Sequence, residues 1–194
     1  MLKIIRKSKI LLSIVGISAF GLALLTLNII RQPSPNSNAV RPEPDPIGNL
    51  EVAPVLGSLS PEFELLDLAG DRVKLSDFIG EPVVINFWAT WCGPCRIEMP
   101  ALEARFKEYE ASGLKILAVD FDESDEKVRK FGDELGLTFT ILLDPGANVQ
   151  KLYRIRAYPT SFFIDREGVI QVQHFGAMTE EQLDANLAQI GIGI

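Results

Sequence analysis

Cysteine is nearly absent from this 194-residue chain, which has two, Cys92 and Cys95. Histidine occurs once, at His174, and methionine three times. A structural zinc site needs four ligands, so two thiols and one distant imidazole argue against metal binding. The lack of a Met/His-rich site argues against copper handling, and with it against a metallochaperone. Positive charge is also scarce over most of the chain. Residues 50–194 carry 13 Lys/Arg against 24 Asp/Glu, net −11, whereas residues 1–49 carry six against two, net +4. An acidic domain without a basic patch argues against nucleic acid as a partner.

Only one long apolar run exists. Residues 10–30 contain no charged residue. At 1.5 Å per residue a helix there covers roughly 30 Å, the thickness of a bilayer core. Lys3, Arg6, Lys7 and Lys9 precede it, so the positive-inside bias leaves residues 1–9 in the cytoplasm and exports the rest. The alternative is a cleaved signal peptide, but the run ends Leu27-Asn28-Ile29-Ile30-Arg31, a poor cleavage site. Either reading exports the remainder. The expected location is the cell membrane, single-pass, with residues 10–30 as the anchor. Residues 31–55 hold Pro33, Pro35, Pro42, Pro44, Pro46 and Pro54, a density that builds neither helix nor ladder and reads as an extracytoplasmic tether.

From residue 56 onward the pattern is globular. Phe63–Leu66 and Val73–Leu75 read as short strands around the turn Ala69-Gly70-Asp71. Val83–Ala89 is a nearly continuous apolar run, as a central strand requires. A helix is expected to start at the cysteines and kink near Pro100, with Leu102, Phe106 and Tyr109 on its core face. A strand at Leu114–Val119, a helix capped by Ser124, a strand at Phe139–Leu143 and a short helix at Asn148–Tyr153 follow. Ser161–Ile164 and Val169–Phe175 flank a turn and read as a hairpin. The capping-box pattern Thr179-Glu180-Glu181-Gln182 opens the last helix. Strand–helix alternation closed by a hairpin and a helix implies an α/β sandwich with a mixed sheet.

The chemistry concentrates in Trp91-Cys92-Gly93-Pro94-Cys95. Disulfides are permitted outside the cytoplasm, yet the chain uses none beyond this one pair. A bridge closing so short a loop removes little unfolded-state entropy, so stability is not its purpose. A thiolate is the species that attacks a disulfide. At a strand-to-helix junction, free N–H groups and the helix dipole stabilise a thiolate at Cys92, expected as the exposed nucleophile. Cys95, one turn on, resolves the mixed disulfide. Pro94 is tolerated in the first helical turn, where its missing N–H costs nothing. Tyr158-Pro159-Thr160, directly before a strand, reads by itself as an ordinary trans proline at a strand edge. Following a Trp-Cys-Gly-Pro-Cys motif it reads as a cis-proline loop beside the dithiol, in which the backbone of the residue before proline pairs with an extended substrate.

The stretches Val83–Pro100 and Tyr158–Asp165 resemble the thioredoxin superfamily, specifically its membrane-anchored ResA/TlpA type of thiol–disulfide oxidoreductases. The resemblance implies a thioredoxin-like fold over residues 56–194, with an N-terminal β-hairpin and a central strand–helix insertion. It implies Trp91, Tyr158 and Pro159 as substrate-binding residues. Thioredoxin resembles this strand but carries a buried aspartate where Asn86 stands, and an amide cannot exchange that proton near neutral pH. ResA-like proteins have a glutamate at the position of Glu98, which shares a helical face with Cys95 and is expected to take the acid/base role. They often have an acidic residue where Gly93 stands. The Gly93-Pro94 pair, with Asn86, is expected to tune the site toward a reducing potential.

The resemblance therefore implies an exported, membrane-anchored disulfide reductase with no cofactor beyond its dithiol. It would receive electrons from a membrane thiol donor. Its partners would be disulfide-containing clients outside the membrane, apocytochrome c among them. A peroxiredoxin-like peroxidase is the runner-up, but its P-x-x-x-T-x-x-C pattern would need Pro and Thr where Ile85 and Ala89 stand. A metallochaperone or a non-catalytic binding module with the same fold is the third reading.

Overall fold

The computed structural model describes residues 50–193. The expected anchor at 10–30 and most of the tether lie outside the described residues. Among the described residues no helix is long and apolar enough to cross a membrane.

Seven strands form one mixed sheet: β1 (Glu64–Asp67), β2 (Arg72–Lys74), β3 (Val83–Trp88), β4 (Lys115–Phe121), β5 (Thr140–Asp144), β6 (Thr160–Ile164) and β7 (Ile170–Phe175). Their order across the sheet is β2-β1-β5-β4-β3-β6-β7. β3, β4 and β5 are parallel, and β1, β6 and β7 join antiparallel. β3 lies inside the sheet between β4 and β6 and is buried at all six positions, as its nearly continuous apolar run requires. Four helices follow the alternation: α1 (Gly93–Tyr109), α2 (Asp125–Leu135), α3 (Asn148–Leu152) and α4 (Glu180–Gln189).

The alternation of side chains along the strands divides the core in two. Val84 and Trp88 of β3 and Ile116 and Ala118 of β4 pack with Met99 and Leu102 of α1, Phe131 of α2 and Leu183 and Leu187 of α4. Ile85, Phe87, Leu117 and Val119 point the other way, onto Leu75, Val149 and Tyr153. The helix boundaries have local causes. Cys92 is the N-cap of α1, and Pro94 falls in its first turn. Pro100 sits inside α1, which continues through it. Gly113, at φ 94°, turns the chain into β4, a conformation a side chain would strain. The Thr179–Gln182 capping box is present on α4, whereas Ser124 caps α2 without a side-chain hydrogen bond.

Composition misplaces the start of the ordered chain. Residues 50–55 look like tether, yet Pro54 is buried and the segment folds back on the sheet. Val52 and Leu59 form a bridge, Leu59 bridges Val169, and the Gly57 N–H donates to the Ile170 carbonyl at 2.8 Å. Proline lacks a donor but buries apolar surface as well as other residues, so one proline in a bend is compatible with packing.

Candidate active site

β3 ends at Trp88 and delivers four residues later the first cysteine, at the N-terminus of α1. Cys92 and Cys95 are joined in a disulfide with Cα atoms 5.2 Å apart. The Cys92 sulfur also accepts the Cys95 N–H at 3.1 Å, which places it in the positive field of the helix start. The expectation of an exposed Cys92 is corrected in this oxidised state. Cys92 is 5% exposed and Cys95 1%. Bonded to Cys95, Cys92 lies among the core residues of the α1 face. The side chain left at the surface is Trp91, 62% exposed.

Trp91 stands edge-on to Tyr158 at 5.6 Å and to Phe121 at 6.3 Å, and Tyr158 and Phe121 lie 5.5 Å apart. The Tyr158–Pro159 peptide is cis, as the loop reading expects. Trp91, Phe121 and the cis-proline loop thus form an aromatic wall around the disulfide. The Tyr158 hydroxyl bonds Gln150, whose amide donates to the Asp120 carbonyl at 2.9 Å. Burial pushes the Tyr158 phenol up to about 12, and the nearby Asp144 and Asp120 add to it. Nothing lies within 4 Å of where a Cβ on Gly93 would stand.

Behind the disulfide sits a buried polar group. Glu98 is 2% exposed. One of its oxygens accepts the Asn86 amide at 3.1 Å and the other the Met178 N–H at 3.0 Å. The Asn86 amide also donates to Ser161 Oγ at 2.9 Å. Burial pushes the Glu98 carboxyl up to about 7, against the lowering effect of the two N–H donors. A group that titrates at neutral pH, one helical turn from Cys95, has the proton affinity an acid/base role requires.

Sequence reasoning missed a second acidic pair. The Glu123 carboxylate clamps Thr90, accepting its N–H at 2.6 Å and its hydroxyl at 2.7 Å, and Thr90 lies two residues before Cys92. The Glu123 N–H donates to Asp120 Oδ2 at 2.9 Å. Asp120 is fully buried, and its other oxygen has no hydrogen-bond partner among the described residues, like Asn86 Oδ1 and Trp88 Nε1. Burial pushes Asp120 up to about 7; the Glu123 N–H lowers it, while the Glu123 charge raises it. The available signal was position: Asp120 is the penultimate residue of a parallel strand and Glu123 lies just beyond it, at the carboxyl end where α/β sheets place their sites. His174 lies on β7 opposite Ser161, as an ordinary sheet residue.

A cysteine pair at a helix start, a cis-proline loop against it and a buried titrating carboxyl beneath define a thioredoxin-like dithiol–disulfide centre. The chain belongs to the AhpC/TSA family, whose model matches residues 56–173. It is 44% identical over 135 residues to the thioredoxin-like protein YneN of Bacillus subtilis, covering 68% of this chain and 78% of that one. It is 38% identical over 135 residues to the thiol-disulfide oxidoreductase ResA of Bacillus anthracis, covering 70% and 78%. Among solved structures it resembles one from Chlorobium tepidum described as thiol:disulfide interchange protein DsbE. That match has a TM-score of 0.66 and 37% identity, over 71% of this chain and 99% of that one. StoA from Bacillus subtilis gives 0.57 and 28%, over 65% and 96%. The chain is a thiol–disulfide oxidoreductase.

Proposed function

We propose that the protein is a membrane-tethered reductant acting on disulfides of exported client proteins, with apocytochrome c as one candidate client. The observation that carries the reading is the Cys92–Cys95 pair at the start of α1, with Glu98 buried beneath it and the cis-Pro159 loop beside it. The uncharged residues 10–30, preceded by four cations, supply the anchor and the export signal.

In the proposed cycle a membrane thiol donor reduces the pair. The Cys92 thiolate, favoured by the helix start, attacks one sulfur of the client disulfide and the other leaves as a thiolate. Cys95 gives its proton to Glu98, attacks the mixed disulfide and expels the client's second thiol. The client gains two electrons and two protons, one of them from Cys95 by way of Glu98 and the other from solvent, and the Cys92–Cys95 bond closes. Trp91 and the cis-proline loop hold the client segment in an extended form across the disulfide.

The test is the reduction potential of the full chain in mild detergent, with client trapping by Cys95→Ser, which leaves the mixed disulfide unresolved. A potential near or below about −250 mV, with disulfide-linked adducts at the outer membrane face, supports a reductant. A value above about −150 mV makes the protein an oxidant or isomerase and overturns the reading.

A further inference from the structure

We infer that Asp120 is a proton-holding residue of the redox centre, taking up a proton when the Cys92–Cys95 disulfide is reduced and returning it when the pair reoxidises. The inference rests on dithiol exchange at this pair and not on which client is reduced.

Asp120 has no ordinary structural explanation. It is the penultimate residue of β4, on the face that carries Ala118, and its register partner on β3 is Trp88, four residues before Cys92. Only one of its oxygens is hydrogen-bonded, to the Glu123 N–H. An ionised carboxylate with an unpartnered oxygen out of water is costly, and a neutral acid is much less so.

The surroundings supply negative charge and no cation. Glu123 faces Asp120 from its own loop and clamps Thr90. Asp144, on β5, is in register with Phe121 and so lies on the other face of the sheet, where it accepts three N–H groups at the start of α3. Asp122 accepts the Gly146 N–H at 2.7 Å. From α3 comes the neutral Gln150, from the cis-proline loop the Tyr158 phenol, and from β3 the Trp88 indole. Of the cations on the neighbouring helices, Lys127 and Lys130 of α2 are exposed to solvent and the others are engaged elsewhere. Arg96 lies over the Phe131 ring and reaches Glu134, Arg129 holds Asp125, and Lys151 donates to the Gly146 carbonyl. Among the described residues no ion pair involves Asp120, Glu123 or Asp144.

Reduction adds a further charge to this cluster. A partner dithiol gives up two electrons and two protons and closes its own disulfide. The Cys92–Cys95 bond breaks, Cys95 takes one proton as a thiol and Cys92 remains a thiolate. One proton is left over. A new anion beside an acidic cluster raises the proton affinity of its most buried carboxyl, so Asp120 takes that proton. By reciprocity, an ionised Asp120 disfavours the Cys92 thiolate.

The experiment uses the full chain in mild detergent and has two arms. In the first, the Asp120 carboxyl carbon of the wild type is titrated by carbon NMR in both redox states. In the second, the reduction potential and the Cys92 alkylation rate are followed from pH 5 to 9 for wild type and Asp120→Asn. The expected results are a higher Asp120 midpoint in the reduced state and a wild-type potential that steepens near neutral pH. Asp120→Asn is expected to lose that steepening, to leave the alkylation rate of Cys92 unchanged below pH 7, where Asp120 holds its proton, and to raise it only at the alkaline end, where the wild-type carboxyl ionises. Glu98→Gln is expected to keep the Asp120 part of the curve. Equal Asp120 midpoints in the two states overturn the inference, as do superimposable curves for wild type and Asp120→Asn. If Asp120→Asn fails to fold, the wild-type titration decides alone.

Discussion

The Asn86 amide, in the middle of β3, donates to the Glu98 carboxylate on the second turn of α1 across 3.1 Å, with both groups buried. The strand that delivers the cysteines therefore also holds the carboxyl that lies under them. Asn86 cannot titrate, but its amide orients a group that can. The division of labour between a fixed donor and a movable proton leads to the first expectation.

Glu98→Gln is expected to slow resolution of the mixed disulfide at neutral pH and to remove the part of its pH profile centred near 7. Glutamine offers one acceptor where the carboxylate offers two. Either Asn86 or the Met178 N–H then loses its partner, at a cost of about 1–3 kcal/mol in stability. Stopped-flow decay of a preformed mixed disulfide from pH 5 to 9 separates the two effects. An unchanged profile in a folded variant would refute the acid/base role.

Stability is expected to fall as pH rises from about 4.5 to about 7. The folded Glu98 carboxyl keeps its proton up to about 7, whereas an unfolded glutamate releases it near 4.5. Asp120 behaves likewise, from an ordinary value of 3.8 to about 7. Within that window the folded state binds more protons, so these groups stabilise the fold in mild acid and the advantage is lost through pH 7. One unit corresponds to about 1.4 kcal/mol, which makes each contribution over its whole window on the order of 3–4 kcal/mol. Thermal unfolding of the oxidised full chain at pH 5 and 7.5 measures it. Greater stability at pH 7.5 would contradict the burial of both carboxyls as neutral acids.

Most of the sheet was legible because its signals are local. The apolar run at Val83–Trp88, the Gly113 turn and the Thr179 capping box each act within a few residues of where they appear. Cys92, Cys95 and the Pro159 loop were legible as a spaced motif. The Thr90–Glu123 clamp and the burial of Asp120 were not. They depend on β4 lying beside β3 in register, a pairing 32 residues apart that no window of sequence contains. The burial of Pro54 was hidden for the opposite reason. Its neighbours are rich in proline and polar residues, and only the bridges of the flanking Val52 and Leu59, the latter to the distant Val169, distinguish the segment from tether.

Gly93 offers the sharpest test of how the helix start sets the potential. Its backbone is outside the left-handed region and its Cβ direction is open, so a side chain fits without strain. A glutamate there occupies the first turn of α1, where the dipole favours a negative charge, so folding is expected to persist. The same charge stands beside Cys92, and like charges disfavour each other. Gly93→Glu should therefore raise the Cys92 thiol pKa and destabilise the reduced form. The potential then moves to more negative values, by about 30 mV for each tenfold loss in the thiolate equilibrium. Equilibration with a thiol buffer at alkaline pH, for wild type and variant side by side, gives the shift directly. A potential that rises or stays fixed would mean that the charge at position 93 is screened by solvent. The tuning would then lie with the buried carboxyls, Glu98 and Asp120.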